Sequence, residues 1–189
     1  MIFFPAYIKI DNQKILVVGG GKIATDKVGH LLNFTQNIHI IAREISPDMM
    51  KYIQQYDLNF ETREYKKGDI NEFMIVIVAV DDISMQKKIF DEATQKNKLC
   101  NSVDSADYCN FIFPAYIKKG DLIVSISTSS TSPALAKHLK TYLSNLIPDD
   151  IADFLTYMKN LRASIPKGKE KMKLLNEKAK EYINKWKNR

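Results

Sequence analysis

The hydrophobic residues of the first hundred positions form short continuous runs that alternate with helical stripes. Residues 14–20 (KILVVGG) predict a strand ending in glycines, and apolar residues recur every three or four positions over 24–32, as on one face of a helix. A second apolar run at 38–42 completes a strand-helix-strand unit of the length typical of a parallel crossover. Ser46 and Pro47 predict the start of the next helix, with Ser46 as its N-cap.

The same alternation continues to about residue 104. The run from Phe73 to Val80 (FMIVIVAV) is β-branched and short, as expected of a central strand that is buried on both faces. A helical stripe over 85–93 follows, and residues 99–103 predict another strand. The fold class predicted is α/β, a Rossmann-like doubly wound parallel sheet.

After residue 110 the pattern changes from alternating strands and helices to a hairpin and then helices. Two β-rich runs flank a turn at 118–121 that contains Gly120, which predicts a β-hairpin. From Thr131 onward the pattern is helical, and Pro148 and Pro166 divide it into three helices. We therefore predict three parts, namely a Rossmann-like domain at 1–110, a hairpin and helix at 111–147, and a C-terminal helical domain at 148–189.

Composition restricts the class of protein and its compartment. With 45% hydrophobic and 26% charged residues, the 189-residue chain is expected to fold as a globular protein. Its apolar runs are far shorter than the roughly 20 residues that span a bilayer, and its start does not resemble a secretion signal. Only two cysteines, Cys100 and Cys109, are present, so no disulfide framework is predicted. We expect a cytoplasmic protein with no membrane partner.

Positive charge is concentrated at the C-terminus. The net charge is +6, and residues 159–189 hold 11 basic and 3 acidic residues, a net +8. Such a tail is compatible with a solvated helix face, with an anion-attracting surface, or with a nucleic-acid-binding arm. Charge alone does not separate these alternatives.

The strongest chemical motif follows the first predicted strand. Gly19, Gly21 and Ala24 fit the pattern G-x-G-x-x-A at a strand-to-helix turn. The first glycine permits the tight turn, the second lets the backbone approach a pyrophosphate, and the small Ala24 lets the helix pack close to the strand. The N-H groups at the helix start then favour phosphate binding. We predict a dinucleotide site.

The end of the second strand bears on the choice of dinucleotide. In this fold a carboxylate about 20 residues after the glycines contacts the adenosine ribose. Here the positions read Arg43-Glu44. Glu44 would favour the ribose hydroxyls of NAD, whereas Arg43 would favour the ribose phosphate of NADP, and spacing does not decide between them.

Two further segments carry candidate chemistry. Asp104 follows the predicted strand 99–103, at the sheet edge where ligands of open parallel sheets bind, and Asp107 competes for its role on position alone. A carboxylate there is suited to accept a proton or to coordinate a metal ion. The run Ser125–Ser132 precedes Pro133 and a helix, where hydroxyl and N-H donors suit carboxylates or phosphates, although a plain N-cap also accounts for it.

Four segments together are similar to the precorrin-2 dehydrogenase family, which includes the N-terminal module of siroheme synthase. These segments are VVGGGKIATDK, IVAVDD, CNSVDSADYCNFIFPA and SISTSSTSPALAKHL. The resemblance covers residues 1 to about 150 in one order. It implies NAD-dependent oxidation of precorrin-2 to sirohydrochlorin by a homodimer, with 111–147 as the dimerisation segment and Asp104 as the catalytic aspartate.

The resemblance and the motif reading together nominate the site residues. The cofactor-binding candidates are Gly19, Gly21, Lys22, Ile23, Ala24, Arg43, Glu44, Val80 and Asp81. The substrate-binding candidates, which would hold the carboxylates of precorrin-2, are Asn101, Ser127, Thr128, Ser129, Ser130, Thr131 and Lys137. No metal site is predicted unless the protein is also a chelatase.

Two alternatives remain open. Some members of the family also insert ferrous iron into sirohydrochlorin, and Asp104 would then serve both reactions, since His30, His39 and His138 lack a metal-ligand spacing. A chain ending at Arg189 leaves no room for a methyltransferase domain, so we expect that it does not make precorrin-2 itself. Between the dehydrogenase alone and a dehydrogenase that is also a chelatase, we expect the first. The alternative from another class is an NAD-responsive redox sensor whose basic tail binds nucleic acid, although we expect no nucleic-acid partner.

Overall fold

The computed structural model describes residues 2–103 and 105–186. Their backbone contacts divide the chain into two compact units. The first comprises residues 3–112, and the second comprises Ile2 and the described residues from Phe113 onward. The three-part division predicted from sequence remains a prediction.

The first unit is a five-stranded parallel sheet with helices between its strands. Its strands run in the order β3-β2-β1-β4-β5, so the sequence order reverses between β1 and β4. The Rossmann-like α/β fold is thereby confirmed. The strands are β1 (Ile15–Val18), β2 (Ile38–Ala42), β3 (Asn59–Thr62), β4 (Ile75–Val78) and β5 (Leu99–Ser102). The helices are α1 (Lys22–Leu31), α2 (Pro47–Tyr56) and α3 (Ile83–Gln95).

The central strands are buried on both faces, which is why they are continuous apolar runs. All four residues of β1 and of β4 are buried. One face packs against α3, where Ile89 and Ala93 join Leu16 and Val76 in a single cluster. On α1, Ala24 and Val28 are also buried, as the helical stripe predicts.

Side-chain caps set where two helices begin. Ser46 Oγ accepts a hydrogen bond from Met49 N at 3.2 Å, which confirms Ser46 as the N-cap of α2. Asp82 caps α3 by accepting from Ser84 N at 2.8 Å. The hydrogen bond from the Ser84 side chain, followed by those from the backbone N-H groups of Met85 and Ser84, holds the pKa of Asp82 below its usual range.

Strand β3 was not predicted from the sequence. Its four residues (NFET) are all exposed, and it pairs with β2 at the edge of the sheet. An exposed edge strand needs no apolar run, so hydrophobic patterning does not reveal it. The sequence after α2 therefore reads as a loop although it extends the sheet.

The second unit contains the predicted hairpin and three helices. Its elements are β6 (Ala115–Lys119), β7 (Leu122–Ile126), α4 (Pro133–Leu146), α5 (Ile151–Ser164) and α6 (Lys169–Trp186). The turn is tighter than the predicted 118–121, because Lys118 and Lys119 pair with Ile123 and Leu122. Gly120, at a φ of 59°, permits this reversal.

Aromatic stacking and one lysine organise the helices of the second unit. Phe154 of α5 stacks on Tyr182 of α6 with ring centroids 3.9 Å apart. Lys119 Nζ donates to Ile147 O and Asp149 Oδ1, both at 2.7 Å, at the end of α4. Over the described ranges, no helix combines the length and apolar character needed to cross a membrane.

A buried glutamate on α3 fixes the segment that leads from β3 back into the sheet. Glu92 is 6% exposed, accepts hydrogen bonds from Tyr65 Oη at 2.7 Å and Gly68 N at 2.9 Å, and pairs with Lys96 at 3.1 Å. Burial alone would raise the pKa of Glu92, but the hydrogen bonds from Tyr65, Lys96 and Gly68 outweigh it and keep the pKa below its ordinary value.

This depressed pKa predicts an acid-sensitive contribution to stability. Because the folded state favours ionised Glu92, its contribution is complete above the ordinary Glu pKa of about 4.3 and is lost as the pH falls through the lower folded-state pKa. Glu92→Gln should cost about 1–3 kcal/mol in the free energy of unfolding at neutral pH. Urea titrations of the original protein and of Glu92→Gln should show that the difference between their free energies of unfolding becomes smaller at acid pH. Glu72→Gln, at an exposed carboxylate, is the control. A difference between the original protein and Glu92→Gln that does not depend on pH would contradict the assigned role of ionised Glu92.

Candidate functional site

The site lies where the strand order of the sheet reverses. β1 and β4 are parallel neighbours, with Val18 opposite Val78. Beyond these strands the backbone stays joined to its neighbours, since Ala79 N donates to Val18 O of β1 at 2.8 Å and Gly19 N donates to Ile41 O of β2 at 2.8 Å. The loops leaving β1 and β4 therefore separate from a common point, where open α/β sheets bind ligands.

Three consecutive glycines follow β1, and they differ in what a Cβ atom at each position would contact. Gly19 has a φ of 122°, and a Cβ there would lie 2.1 Å from Ala79 O. A Cβ on Gly20 would lie 2.1 Å from Glu44 O. A Cβ on Gly21 would meet no protein atom within 4 Å. The first two glycines are thus required by the fold, whereas the third borders open space.

The open space adjoins the start of α1. Gly21 is the N-cap of this helix and supplies no side-chain cap, while Lys22 and Ile23 are exposed and Ala24 is buried. Uncapped N-H groups at a helix N-terminus, approached over a residue with no Cβ, are suited to a phosphate.

One side of the switch point is a cleft of about 420 Å³, here called the first cleft. It contains Gly19, Arg43, Glu44, Val80 and Asp81 of the predicted cofactor set. Its remaining lining residues, which the sequence did not nominate, are Val18, Gly20, Ile41, Ala42, Arg63, Glu64, Tyr65, Ala79, Asp82 and Met85.

Both arginines of the first cleft are paired with carboxylates. Arg43 Nη2 lies 3.1 Å from Glu64 Oε1, and both side chains are largely exposed. Arg63 donates to Asp69 at 2.6 and 3.1 Å and to Glu61 at 2.7 Å. The hydrogen bonds that Arg63 donates to Asp69 and Glu61 raise the pKa of Arg63 above its ordinary value. The Arg63 pairs are less exposed than that of Arg43 and fix the loop that carries Glu64.

On the other side lies a second cleft of about 590 Å³. It shares Ala79, Val80 and Asp81 with the first cleft and is also lined by Gly21, Lys22, Ile23 and Ala24. Ile83, Gln86, Val103 and Ser105 complete it. The nominated cofactor residues therefore all line one or both of two adjoining clefts.

Asp104 itself lies outside the described residues, but both its chain neighbours line the second cleft. Val103 N donates to Val78 O at 2.8 Å, so the chain follows β5 to this point. The competing candidate, Asp107, is exposed in the short turn Ala106–Tyr108 and lines neither cleft.

Side chains tie the turn after β5 back to that strand. Cys109 Sγ lies 3.2 Å from both Ser102 O and Ser105 O. Asn101, 7% exposed, donates its amide to Phe111 O at 3.0 Å and to Cys109 Sγ at 3.4 Å. These contacts tie Cys109 and Phe111 to β5, and Ser105 to Cys109. For Asn101 they show internal partners, and its predicted substrate contact remains a prediction.

The side chain of Asn110 also ties this segment to β5, because it forms hydrogen bonds with backbone groups as a neighbouring strand would. Its Oδ1 accepts from Cys100 N at 2.7 Å and its Nδ2 donates to Lys98 O at 2.8 Å. Burial raises the pKa of Cys100 to about 12 and also raises that of Cys109. Both thiols are therefore protonated at neutral pH and contribute packing and hydrogen bonds rather than thiolate chemistry.

The serine and threonine candidates belong to the second unit. Ser127 Oγ accepts from Ser129 N at 3.0 Å, and Thr128 Oγ1 accepts from Ser132 N at 3.1 Å. Ser129 and Ser130 adopt positive φ values of 50° and 66°. Ser127, Ser129, Ser130 and Thr131 are exposed, as is Lys137 on α4. The predicted cap is also present, because Ser132 Oγ accepts from Leu135 N at 3.3 Å.

Comparison with known proteins identifies the family. Residues 6–115 match the NAD_binding_7 family model, described as "Putative NAD(P)-binding". The chain belongs to this NAD(P)-binding family. The glycine turn, the uncapped helix start and the two clefts of this domain fit a dinucleotide, whose pyrophosphate would pass over Gly21.

Longer relatives contain a similar segment. The chain is 34% identical over 148 residues to "Siroheme synthase 1" of Serratia proteamaculans, covering 78% of this chain and 31% of that protein. It is 30% identical over 166 residues to "Siroheme synthase" of Acinetobacter baylyi, covering 87% of this chain and 36% of that protein. The chain thus spans about a third of the length of these curated relatives.

A solved structure shares the whole fold. The structure titled "SirC, precorrin-2 dehydrogenase" aligns over 99% of this chain and 100% of that one, with a TM-score of 0.75 and 22% sequence identity. This agreement extends beyond the sheet to the hairpin and the C-terminal helices.

Metal ligands are not clustered in the part of the chain described. Among residues 2–103 and 105–186, no three His, Cys, Asp or Glu side chains come together as a possible metal site. His39 instead contacts Glu61 at 2.9 Å.

The contrast between neighbouring glycines yields a binding prediction. Gly21→Ala should leave the free energy of unfolding within about 1 kcal/mol of the original, because the new methyl group meets no protein atom. It should weaken NAD binding about tenfold or more, since that methyl group occupies the space over which a pyrophosphate would pass. Calorimetric titration with NAD measures the effect.

Gly19→Ala is the matched control for this prediction. It should destabilise the protein by at least about 2 kcal/mol because of the positive φ and the contact with Ala79 O. Unchanged NAD affinity in a folded Gly21→Ala protein would contradict the proposed path of the pyrophosphate.

Proposed function

We propose that the protein is an NAD-dependent precorrin-2 dehydrogenase, which oxidises precorrin-2 to sirohydrochlorin in siroheme biosynthesis. The observation that carries the proposal is the agreement over nearly the whole chain with a structure titled precorrin-2 dehydrogenase. Siroheme synthases among the relatives and the NAD(P)-binding family support the same chemistry. The free thiols Cys100 and Cys109 suit the cytoplasmic location expected of it.

The two clefts suggest how the domain orients its cofactor. Arg43 and Glu44 in the first cleft would meet the adenosine ribose, and the Gly21 turn would meet the pyrophosphate. The second cleft, bordered by Val103 and Ser105, would then receive the nicotinamide end. When bound there, the nicotinamide ring supplies the hydride acceptor for the oxidation.

Asp104 completes the reaction as its proton acceptor. Removing two hydrogens from precorrin-2 sends one to the cofactor as a hydride with its electron pair and releases the other as a proton. The carboxylate of Asp104 takes that proton, while Asn101, Cys109 and Asn110 hold the loop on both sides of it. We place the contribution of Asn101 in this positioning, because its amide donors already have partners within the loop.

We assign the substrate carboxylates to Ser127, Thr128, Ser129, Ser130, Thr131 and Lys137. Ser127 and Thr128 accept backbone hydrogen bonds through oxygen, which leaves their hydroxyl protons for a carboxylate. Ser129, Ser130 and Thr131 add exposed donors, and Lys137 adds positive charge on α4. The names of the relatives do not favour the nucleic-acid alternative.

A homodimer is the second part of the proposal. Helix α4 exposes Leu135, Leu139, Tyr142 and Leu146 at intervals of four, three and four residues, to extents between 37% and 62%. A continuous apolar stripe of this kind is typical of a protein interface. A second copy of the same helix is the occupant that the resemblance to the family implies.

The role of Asp104 can be tested directly. Asp104→Asn should reduce NADH formation from precorrin-2 and NAD by about 100-fold or more, because the amide cannot accept the proton. NAD affinity should remain within about twofold, since the carboxylate is assigned to proton transfer. The absorbance of NADH follows the reaction, and calorimetry follows binding.

Asp107→Asn is the matched control, because Asp107 lies in the same segment but lines neither cleft. The control should keep full turnover. Full turnover by Asp104→Asn, or loss by Asp107→Asn instead, would reassign the proton acceptor.

The dimer makes a separate prediction. Sedimentation should give a species of twice the 21.7 kDa chain mass. Leu139→Glu should convert it to monomer, because a charge in the apolar stripe is not paired in the interface. Thr141→Glu, at an exposed position of α4 outside the stripe, should remain dimeric. A monomeric original protein at micromolar concentration would remove the proposal.

A further inference from the structure

We propose that Glu64 determines the choice of cofactor, by pairing with Arg43 and so withholding that guanidinium from the 2′-phosphate of NADP. The proposal rests on the cofactor half of the proposed function, namely that the adenosine end lies in the first cleft. It concerns a residue two positions after the edge strand β3 (Asn59–Thr62), a strand that the hydrophobic pattern of the sequence did not reveal.

The first cleft has only two guanidinium groups among the described residues that line it, those of Arg43 and Arg63. A 2′-phosphate on adenosine ribose is normally met by an arginine near the end of the second strand. Arg43 has the right position, immediately after β2 (Ile38–Ala42). Its Nη2 lies 3.1 Å from Glu64 Oε1, so its charge is already matched by a carboxylate.

Arg63 does not substitute for Arg43. Its guanidinium forms two hydrogen bonds with Asp69, at 2.6 and 3.1 Å, and a third with Glu61 at 2.7 Å. Asp69 also accepts from Lys66 N at 2.7 Å. Burial alone would raise the pKa of Asp69, but the hydrogen bonds from Arg63 and Lys66 outweigh it and keep the carboxylate ionised at neutral pH. Arg63 is therefore committed to holding the loop that presents Glu64.

The balance of charge reinforces this preference. Against two arginines, the lining of the first cleft contains four carboxylates, those of Glu44, Glu64, Asp81 and Asp82. A 2′-phosphate brings nearly two further negative charges. A free 2′-hydroxyl, in contrast, donates a hydrogen bond to a carboxylate such as Glu44. The cleft thus accommodates the ribose hydroxyl of NAD and rejects the 2′-phosphate of NADP by an unfavourable charge contact.

Direct binding of the two reduced cofactors tests the proposal without any turnover. Glu64→Gln keeps the shape of the side chain but removes its charge, and so releases Arg43. NADPH affinity, measured by cofactor fluorescence, should rise about fivefold or more, while NADH affinity stays within about twofold. Equal changes for NADH and NADPH, or no change for either, would overturn the assignment of Glu64.

A second variant separates the release of Arg43 from the mere removal of a negative charge. In the double variant Glu64→Gln/Arg43→Ala, compared with Arg43→Ala alone, most of the gain in NADPH affinity should be lost. A gain as large as that of Glu64→Gln overturns the proposal, because reduced repulsion would then explain all of it. Glu72→Gln removes another exposed carboxylate, which pairs with Lys14 at 2.6 Å outside the first cleft, and it should leave both affinities unchanged. An increase in NADPH affinity in this control would also overturn the proposal.

These outcomes are independent of the reaction catalysed. If the original protein binds NADH and Glu64→Gln changes nothing, the selectivity proposal fails while the dehydrogenase proposal stands. If the selectivity changes as expected but precorrin-2 is not oxidised, the cofactor site is supported and the substrate assignment fails.

Discussion

The approach of the glycine turn to the ends of two neighbouring strands is the constraint on which the site depends. Gly19 lies against Ala79 O and Gly20 against Glu44 O, at separations that leave no space for a Cβ. The backbones that leave β1, β2 and β4 are thereby held together at one point. From that point the first helix starts with uncapped N-H groups and the two clefts diverge, so the geometry of the ligand site is set by backbone packing.

This constraint explains why much of the first unit was predictable from sequence. Strands buried on both faces must be apolar runs, and helices that cover them must carry an apolar stripe, so Ile38–Ala42 and Ser46 could be assigned without coordinates. Gly19 and Gly21 were recognised for the same reason. Gly20 was missed, because its necessity arises from a contact with Glu44 O that sequence spacing does not contain.

The parts that patterning missed are those held by polar contacts between segments distant in sequence. Strand β3 is exposed and is placed by its pairing with β2, so it leaves no hydrophobic signature. The segment after β5 is held by Asn101, Cys109 and Asn110, whose partners are backbone groups of Phe111, Ser102 and Cys100. Asparagine and cysteine in such a stretch predict a turn, but not which carbonyls they meet.

The first cleft shows why the position of a charge does not by itself predict recognition. In the sequence, Arg43 favours NADP and Glu44 favours NAD, and their spacing does not decide between the two cofactors. The structure adds a third residue, Glu64, which reaches Arg43 only because β3 extends the sheet beside β2. An arginine that is already paired must lose that partner before it can bind a phosphate. The free energy of the lost interaction then reduces the free energy gained by binding the phosphate. Cofactor preference is therefore a property of the network around Arg43, including a strand that the sequence pattern did not reveal.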